Sequence, residues 1–591
     1  MAAQASINPP LCANVSSGSQ CTEPASLVCA QCHLVQYCSK NCQVAHWHTH
    51  KKETCKTDLM SKHWKPQWVQ ERRLPTFADG SEDPRVVCAN RYLWGMMPAL
   101  DLLNLPKNEG VQDLSRDYNI LCAASGDLRN IIKTVAGLPD GYAGQFTAVI
   151  NDKDFDVVAR NIIFILIALY LPKEEAVPVI IHLWYSALIP TPMLTMLREK
   201  ILPLIIHICT KIEHKAPNAL QAKTLKHESG GSLRVVLSEE YWNVLCSYLQ
   251  VDPHVTAADA KKLRNDEINN PKRTDMKHNG YYYQLPAFRM CMARFLDDGI
   301  LLPYGTSRAG FDSPNPIYYQ FYYPDGHFIW PMRDDAEPHQ GWDHEDIMKG
   351  NLPAKGDVIG NQFFMLRDLL LKFCDRIKNC KLRFHIYAVD ARDLPQKLQS
   401  MGVHMEYDRI EVSLAVSNLC LGPAAAISTY APLLKPRGVN PHATLLLLFK
   451  KDLKEMEIEF GRTHPREFNE LATRAWNRLR EYTTVQELSN DGQDEWWNRK
   501  PTRITGASSM LFDWDDIWNR FVDEVGFMGL VEGPHGSSKD IKLKMRGLDE
   551  HKLTRPWPKR LMEGASQDEY NILCSKYRTG FERYVELVRD D

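Results

Sequence analysis

The chain has 591 residues, more than one hydrophobic core usually organises, so about two to four domains are expected. Its composition is globular, 44% hydrophobic and 24% charged, and a formal net charge of -2 gives no global reason to expect a nucleic-acid or membrane surface. The opening residues MAAQASINPP lack the basic region and apolar core of a secretory signal, and the longest apolar run, 162–171, is about half of the ~20 residues a membrane helix needs.

Seven of the 16 cysteines fall within the first 55 residues. That clustering predicts an intracellular protein, of cytoplasm or nucleus, with a metal site rather than a disulfide framework. Cys29 and Cys32 form a CxxC pair of the kind a tight turn presents to one ion. Cys38 and Cys42 have the spacing that puts two ligands on one helical face. With Cys12, Cys21, His50 and Cys55 there are ligands enough for two tetrahedral sites. His46 and His48 compete with His50, and His46 shares a helical face with Cys42 and His50.

Tyr37-Cys38-Ser39-Lys40-Asn41-Cys42-Gln43, then His46-Trp47, His50-Lys51 and Cys55, resemble the MYND zinc finger. The resemblance implies a module at 12–55 holding two structural zinc ions through an interleaved set. Cys12, Cys21, Cys38 and Cys42 would bind one, and Cys29, Cys32, His50 and Cys55 the other. It also implies partner proteins, Pro-containing peptides among them. Two spacings are longer than that pattern: eight residues separate Cys12 from Cys21, and four separate His50 from Cys55. Widening a loop from two residues to eight costs roughly 1.2 kcal/mol, against about 10–16 kcal/mol for structural zinc. Zinc prevails. The finger's helix lacks the dense basic face that nucleic acid demands.

Residues 56–90 mix charge, Pro and aromatics and read as a connector, which implies separate cores for finger and body. In the body, 119–124 is apolar and is followed by Ser125-Gly126-Asp127. Leu128, Ile131, Ile132, Val135 and Leu138 then recur at helical spacing, and 146–150 is apolar again, ending in Asn151-Asp152. This strand–turn–helix–strand grammar predicts a parallel sheet with helices on its faces, an α/β body over 91–450. Helical periodicity from 160 to about 247 predicts a large, mainly helical insertion at about 165–360, with His182 a core residue. Gly230-Gly231 and 261–279 read as exposed loops, and 299–342, rich in Tyr, Pro and Gly, as irregular packing. The βα pattern returns with a helix at 363–377 and strands at 383–389, 410–412 and 444–449. The unbroken apolar character of the last implies burial on both faces. Residues 451–591 read as a helical C-terminal region with Trp476, Trp496, Trp497, Trp514 and Trp518.

Ligands of open parallel sheets bind beyond the carboxyl ends of the strands, here Gly126, Asp127, Asp152 and Asp390. Asp390-Ala391 with Leu394-Pro395, Tyr407-Asp408-Arg409-Ile410 and Leu433-Leu434-Lys435-Pro436-Arg437-Gly438 are similar to class I S-adenosylmethionine-dependent methyltransferases. That resemblance implies a Rossmann-like body with Gly126 and Asp127 at the methionine end of the cofactor, Asp152 on the ribose and Asp390 at the adenine edge. Ala123-Ala124-Ser125-Gly126-Asp127 has one glycine where several are usual, leaving Cβ atoms where the cofactor must approach. No general base is visible beside this turn, and GxxxxGK[ST], GxSxG and HExxH are absent.

PALDLLNLPKNEG, SGDLRNIIKT, INDKDFDVVARN and APLLKPRGVNPHATLLLLF resemble the uncharacterised domain that follows MYND fingers in fungal proteins and, in related form, occurs in an axonemal dynein assembly factor. The expectation is a zinc-binding interaction adaptor with a non-catalytic methyltransferase-like body that takes no S-adenosylmethionine. The alternative is a methyltransferase whose finger recruits the substrate.

Overall fold

The computed structural model describes residues 9–16, 19–76, 93–228, 230–320, 330–418, 420–482, 509–533, 541–576 and 579–591. Trp496 and Trp497 and residues 77–90 of the expected connector lie outside them.

A large sheet organises the body. Its strands are β1 (Tyr118–Cys122), β2 (Gln145–Asn151), β3 (Leu220–Lys226), β4 (Ser232–Ser238), β5 (Lys381–Tyr387), β6 (Arg409–Ser413), β7 (Thr444–Phe449), β8 (Leu543–Met545) and β9 (Arg583–Arg589). Across the sheet they lie in the order β8-β9-β7-β6-β1-β2-β5-β4-β3. From β7 to β4 all neighbours are parallel. At the ends, β3 runs antiparallel to β4, and β9 antiparallel to both β7 and β8. The chain reverses its travel between β1 and β6, which makes their carboxyl ends the switch point of the sheet.

Period-two alternation divides the interior into two cores. Ile120, Ala148, Ile150, Phe384 and Ile386 face one side; Leu121, Val149, Val412 and Leu447 face the other. Strand β7 shows why its sequence is uniformly apolar: Leu446 and Leu448 enter the first core, Leu445, Leu447 and Phe449 the second. The first core is roofed by α2 (Arg129–Ala136), α3 (Phe155–Tyr170), α4 (Lys173–Tyr185) and α5 (Val358–Asn379). Helix α3 is apolar almost all round because nearly every residue in it is buried, and the Asp154 side chain caps it by accepting from the Asp156 N–H at 3.0 Å. The second core takes α6 (Leu394–Ser400) and the Trp- and Phe-rich helices beyond residue 510.

Three expectations need correction. Residues 220–238 are not helical but form the hairpin β3–β4 at the sheet edge, turning at Gly230 with φ +82°. The short SLRVVLS run fits either period over so few residues, and its β-branched pair favours the strand. Residues 261–279 are not an exposed loop. They lie in helices Ala257–Ile268 and Thr274–Tyr283, the first started by a Thr256/Asp259 capping box and burying Ala260, Arg264 and Ile268 at four-residue intervals. The segment after residue 450 is not wholly helical, because β8 and β9 complete the main sheet.

The finger is docked rather than tethered. Its Ala13, Leu34, Val35 and Tyr37 belong to the first core of the body. The Gly356 N–H donates to the His33 carbonyl at 2.9 Å, and the Ala354 N–H to Gln36 Oε1 at 3.3 Å. A Cβ on Gly305 would lie 2.8 Å from the Ala13 Cβ, so only glycine permits that approach. The connector is fastened too: the Arg289 guanidinium lies 4.7 Å over the Trp64 ring, and Arg73 forks onto the buried Asp275 carboxylate.

Candidate functional site

In the finger, a two-strand ribbon (Leu27–Val28 with Gln36–Tyr37) ends in the turn that carries Cys29 and Cys32. The Cys29 N–H donates to Val35, the His33 N–H to Cys29, and the Leu34 N–H reaches the Cys32 sulfur at 3.5 Å. The finger's own helix, α1 (Lys40–His50), begins at Ser39, whose hydroxyl accepts from the Cys42 N–H at 3.3 Å. That cap fixes Cys38 and Cys42 on one face, their sulfurs 3.6 Å apart. After His50 the helix widens into a π turn, Lys51–Cys55. The wider turn absorbs the extra residue between His50 and Cys55, bringing the Cys55 sulfur to 2.9 Å from His50 Nε2.

Two sets of four ligand atoms result, Cys12, Cys21, Cys38 and Cys42 in one and Cys29, Cys32, His50 and Cys55 in the other, each within 4.8 Å. Tetrahedral zinc with bonds of about 2.3 Å to sulfur places neighbouring sulfurs about 3.8 Å apart. The sulfurs of Cys21 and Cys38 are 3.9 Å apart and those of Cys29 and Cys55 3.6 Å; His50 Nε2 is 3.4 Å from the Cys29 sulfur. The donor set and its spacing fit zinc. Burial pushes the Cys12 thiol up to about 12 and the Cys32 thiol up to about 11, and pulls the His50 imidazole down to about 4. Neutral imidazole is the ligand form, and thiolates this buried require a cation. His46 stands outside both sets, with Nδ1 at 3.1 Å from the Tyr37 hydroxyl, and His48 is exposed. Val44 and Trp47 face solvent on the same helix, 63% and 39% exposed.

At the strand ends of the body, Gly126 and Asp152 meet. The Gly126 N–H donates to Asp152 Oδ2 at 2.9 Å, and Asp152 Oδ1 accepts from the Asp154 N–H at 3.0 Å. Gly126 has φ +56°, and the space where its Cβ would stand is open. Asp127 turns the other way. It is buried, Oδ2 accepts from the Gly95 N–H at 2.8 Å, and Oδ1 takes the Arg129 guanidinium at 2.5 Å. Asp390 caps its own loop, accepting from the Arg392 N–H at 2.9 Å. Asn151 ties three strand ends together, donating to the carbonyls of Ala123 at 2.8 Å and Val389 at 2.9 Å. Asp127 is thus engaged by Gly95 and Arg129, and Asp152 by the amides of Gly126 and Asp154.

One residue escaped sequence reasoning. Glu411, 4% exposed, lies in β6 directly opposite Cys122 of β1, and its Oε2 has no hydrogen-bond partner. Burial raises its pKa to about 7, against the pull of Arg129 and of a hydrogen bond from Ser413. Ser413 itself has φ +54°, an uncommon left-handed backbone for a residue with a Cβ. The available signal was a lone acid inside the apolar phrase Ile410-Glu411-Val412.

The MYND finger pattern matches residues 18–65, and a domain of unknown function (DUF4470) matches residues 93–189. Dynein axonemal assembly factor 3 of Danio rerio is 32% identical over 84 residues, which are 14% of this chain and 17% of that protein, so the likeness spans a small part of either. No solved structure matches the chain. Among the described residues no helix is long and apolar enough to cross a membrane. The chain therefore carries a MYND zinc finger followed by a DUF4470 domain.

Proposed function

We propose that this chain is a zinc-dependent protein-interaction scaffold whose α/β body is a methyltransferase-like frame without catalysis. The two interleaved sets of four each hold one structural zinc, with no open position for water. The finger presents Trp47 and Val44 to a partner protein, and an exposed aromatic of this kind suits a Pro-containing segment. Thiols committed to zinc suit a reducing compartment, cytoplasm or nucleus. The 84-residue likeness to an assembly factor supports a scaffolding role and carries no claim about axonemes.

The observation that carries this reading is Asp127. This carboxylate of the turn after β1 is bonded to Gly95 and Arg129, which suits a sheet frame better than a cofactor cradle. Glu411 favours the alternative, an S-adenosylmethionine-dependent methyltransferase that uses the finger for recruitment, since a buried acid titrating near neutrality can serve as a base. Calorimetric titration with S-adenosylmethionine separates the two. The scaffold reading expects no heat of binding. Micromolar binding that Asp152→Ala removes, with the unfolding midpoint unchanged, would establish the enzyme instead.

A further inference from the structure

The hairpin that sequence periodicity hid gives the sheet a second exposed surface. Strands β3, β4 and β5 are in register: Lys226, Ser232 and Arg383 form one row across them, and Thr224, Arg234 and His385 the next. Lys381 extends the same face by one step along β5. The opposite side chains, Leu233, Val235, Leu382, Phe384 and Ile386, are buried in the first core. On the near side Val236 and Tyr387 belong to the second core with Leu394 and Leu398 of α6, and beyond that row no residue of β3, β4 or β5 on this face is in that core among the described residues. Thr224, Lys226, Lys381 and Arg383 are exposed there, and Ser232, Arg234 and His385 half-buried.

This face is positive and unbalanced. Among the described residues, Lys226, Arg234, Lys381 and Arg383 have no carboxylate partner, and Arg234 Nε has no hydrogen-bond partner at all. After burial itself, the charges acting on His385 are those of Arg234 and Arg383, and no acid is among them. Several cations elsewhere do meet a carboxylate. Lys133 is paired with Asp346, Lys173 with Asp375, Arg376 with Asp140 and Lys435 with Asp408. Four cations on one face, in a chain whose net charge is -2, are a local arrangement rather than an average.

We propose that the open face of β3–β4–β5 is a docking surface for an acidic polypeptide segment of a partner protein, separate from the finger. Guanidinium groups on neighbouring strands present paired donors to carboxylates, and the lysines supply charge at the margin. Edge strand β3, which has no strand beyond it among the described residues, can add a main-chain ladder to an extended segment lying alongside. Single-stranded nucleic acid is disfavoured, because sheets that bind it stack bases on exposed aromatics, and of the rings on this face Tyr387 is buried and His385 half-buried.

The test uses full-length, zinc-loaded protein and two fluorescent probes, a deca-glutamate peptide and a single-stranded oligo-dT, read by anisotropy at about 50 mM salt, where charge contacts are weakly screened. The triple variant Lys226→Ala/Arg234→Ala/Arg383→Ala is compared with a charge-matched control, Lys261→Ala/Lys262→Ala/Lys272→Ala, drawn from exposed lysines elsewhere. Peptide affinity is expected to fall about tenfold in the first and to stay unchanged in the second. Zinc content and melting temperature of the first variant, equal to wild type, separate loss of the surface from loss of the fold. Equal weakening in both variants, or no binding by wild type, overturns the proposal. Oligo-dT bound more tightly than the peptide through the same residues overturns the choice of partner.

Discussion

Asp127 and Arg129 are the residues whose removal says most about the body. Both are buried, and the carboxylate also holds the Gly95 amide. Asp127→Ala leaves a buried guanidinium without its anion, a change that costs about 3–5 kcal/mol. Chemical denaturation of Asp127→Ala and of Asp127→Ala/Arg129→Met should show the double variant recovering much of the loss, because it removes the orphaned charge. Glu411 makes a separate prediction. Its pKa is raised from an ordinary 4.5 to about 7, so the folded chain holds a proton that the unfolded chain releases. The stabilisation is complete below pH about 4.5 and is lost as pH rises through about 7, a span worth roughly 3 kcal/mol. Glu411→Gln should flatten the fall of stability across that window, measured by denaturation at several pH values. The contrast with the finger explains what was legible. Cys29, Cys32, Cys38 and Cys42 announce their chemistry by spacing alone, since a turn and a helix face act over a few residues. The state of Glu411 depends on strands more than 250 residues apart, Cys122 and Glu411 being neighbours only across the sheet.

At the scale of elements, strands with a strong local pattern were readable and those that depend on a partner were not. Strand β7 declares itself by TLLLLF, and α3 by its apolar length. Strands β3, β4 and β9 are held by neighbours: LQAKTLK is an edge with exposed lysine, and RYVELVR carries charges at both ends. The connector misled for the same reason, because Trp64, Trp68 and Arg73 look like linker residues until Arg289 and Asp275 meet them. Strand β9 is the element to test. Its residues Arg583–Val588 pair with all of β7, and it buries Val585 and Leu587 in the second core. Leu587→Ala should cost about 2–5 kcal/mol, read as a lower denaturation midpoint, and a substitution tolerated at under 1 kcal/mol would mean that β9 is not a core strand.

For the whole molecule, the shared core of finger and body sets the expectation. Zinc removed by a chelator, or one site broken by Cys29→Ser, should lower the single cooperative melt rather than unfold a separate finger, because Ala13, Val35 and Tyr37 are body core as well as finger. Calorimetry showing a small finger transition apart from an unmoved main peak would refute this. The place of β9 has a further consequence, for synthesis. From Phe449, the end of β7, to Arg583, where its partner strand begins, the ribosome must add 134 residues. At about 5–20 residues per second the interval is roughly 7–27 s. Throughout it the most apolar strand of the protein stands with one side unpaired, so the newborn chain is exposed to misassociation at Thr444–Phe449, and holding that strand apart from other chains is a task for cellular chaperones.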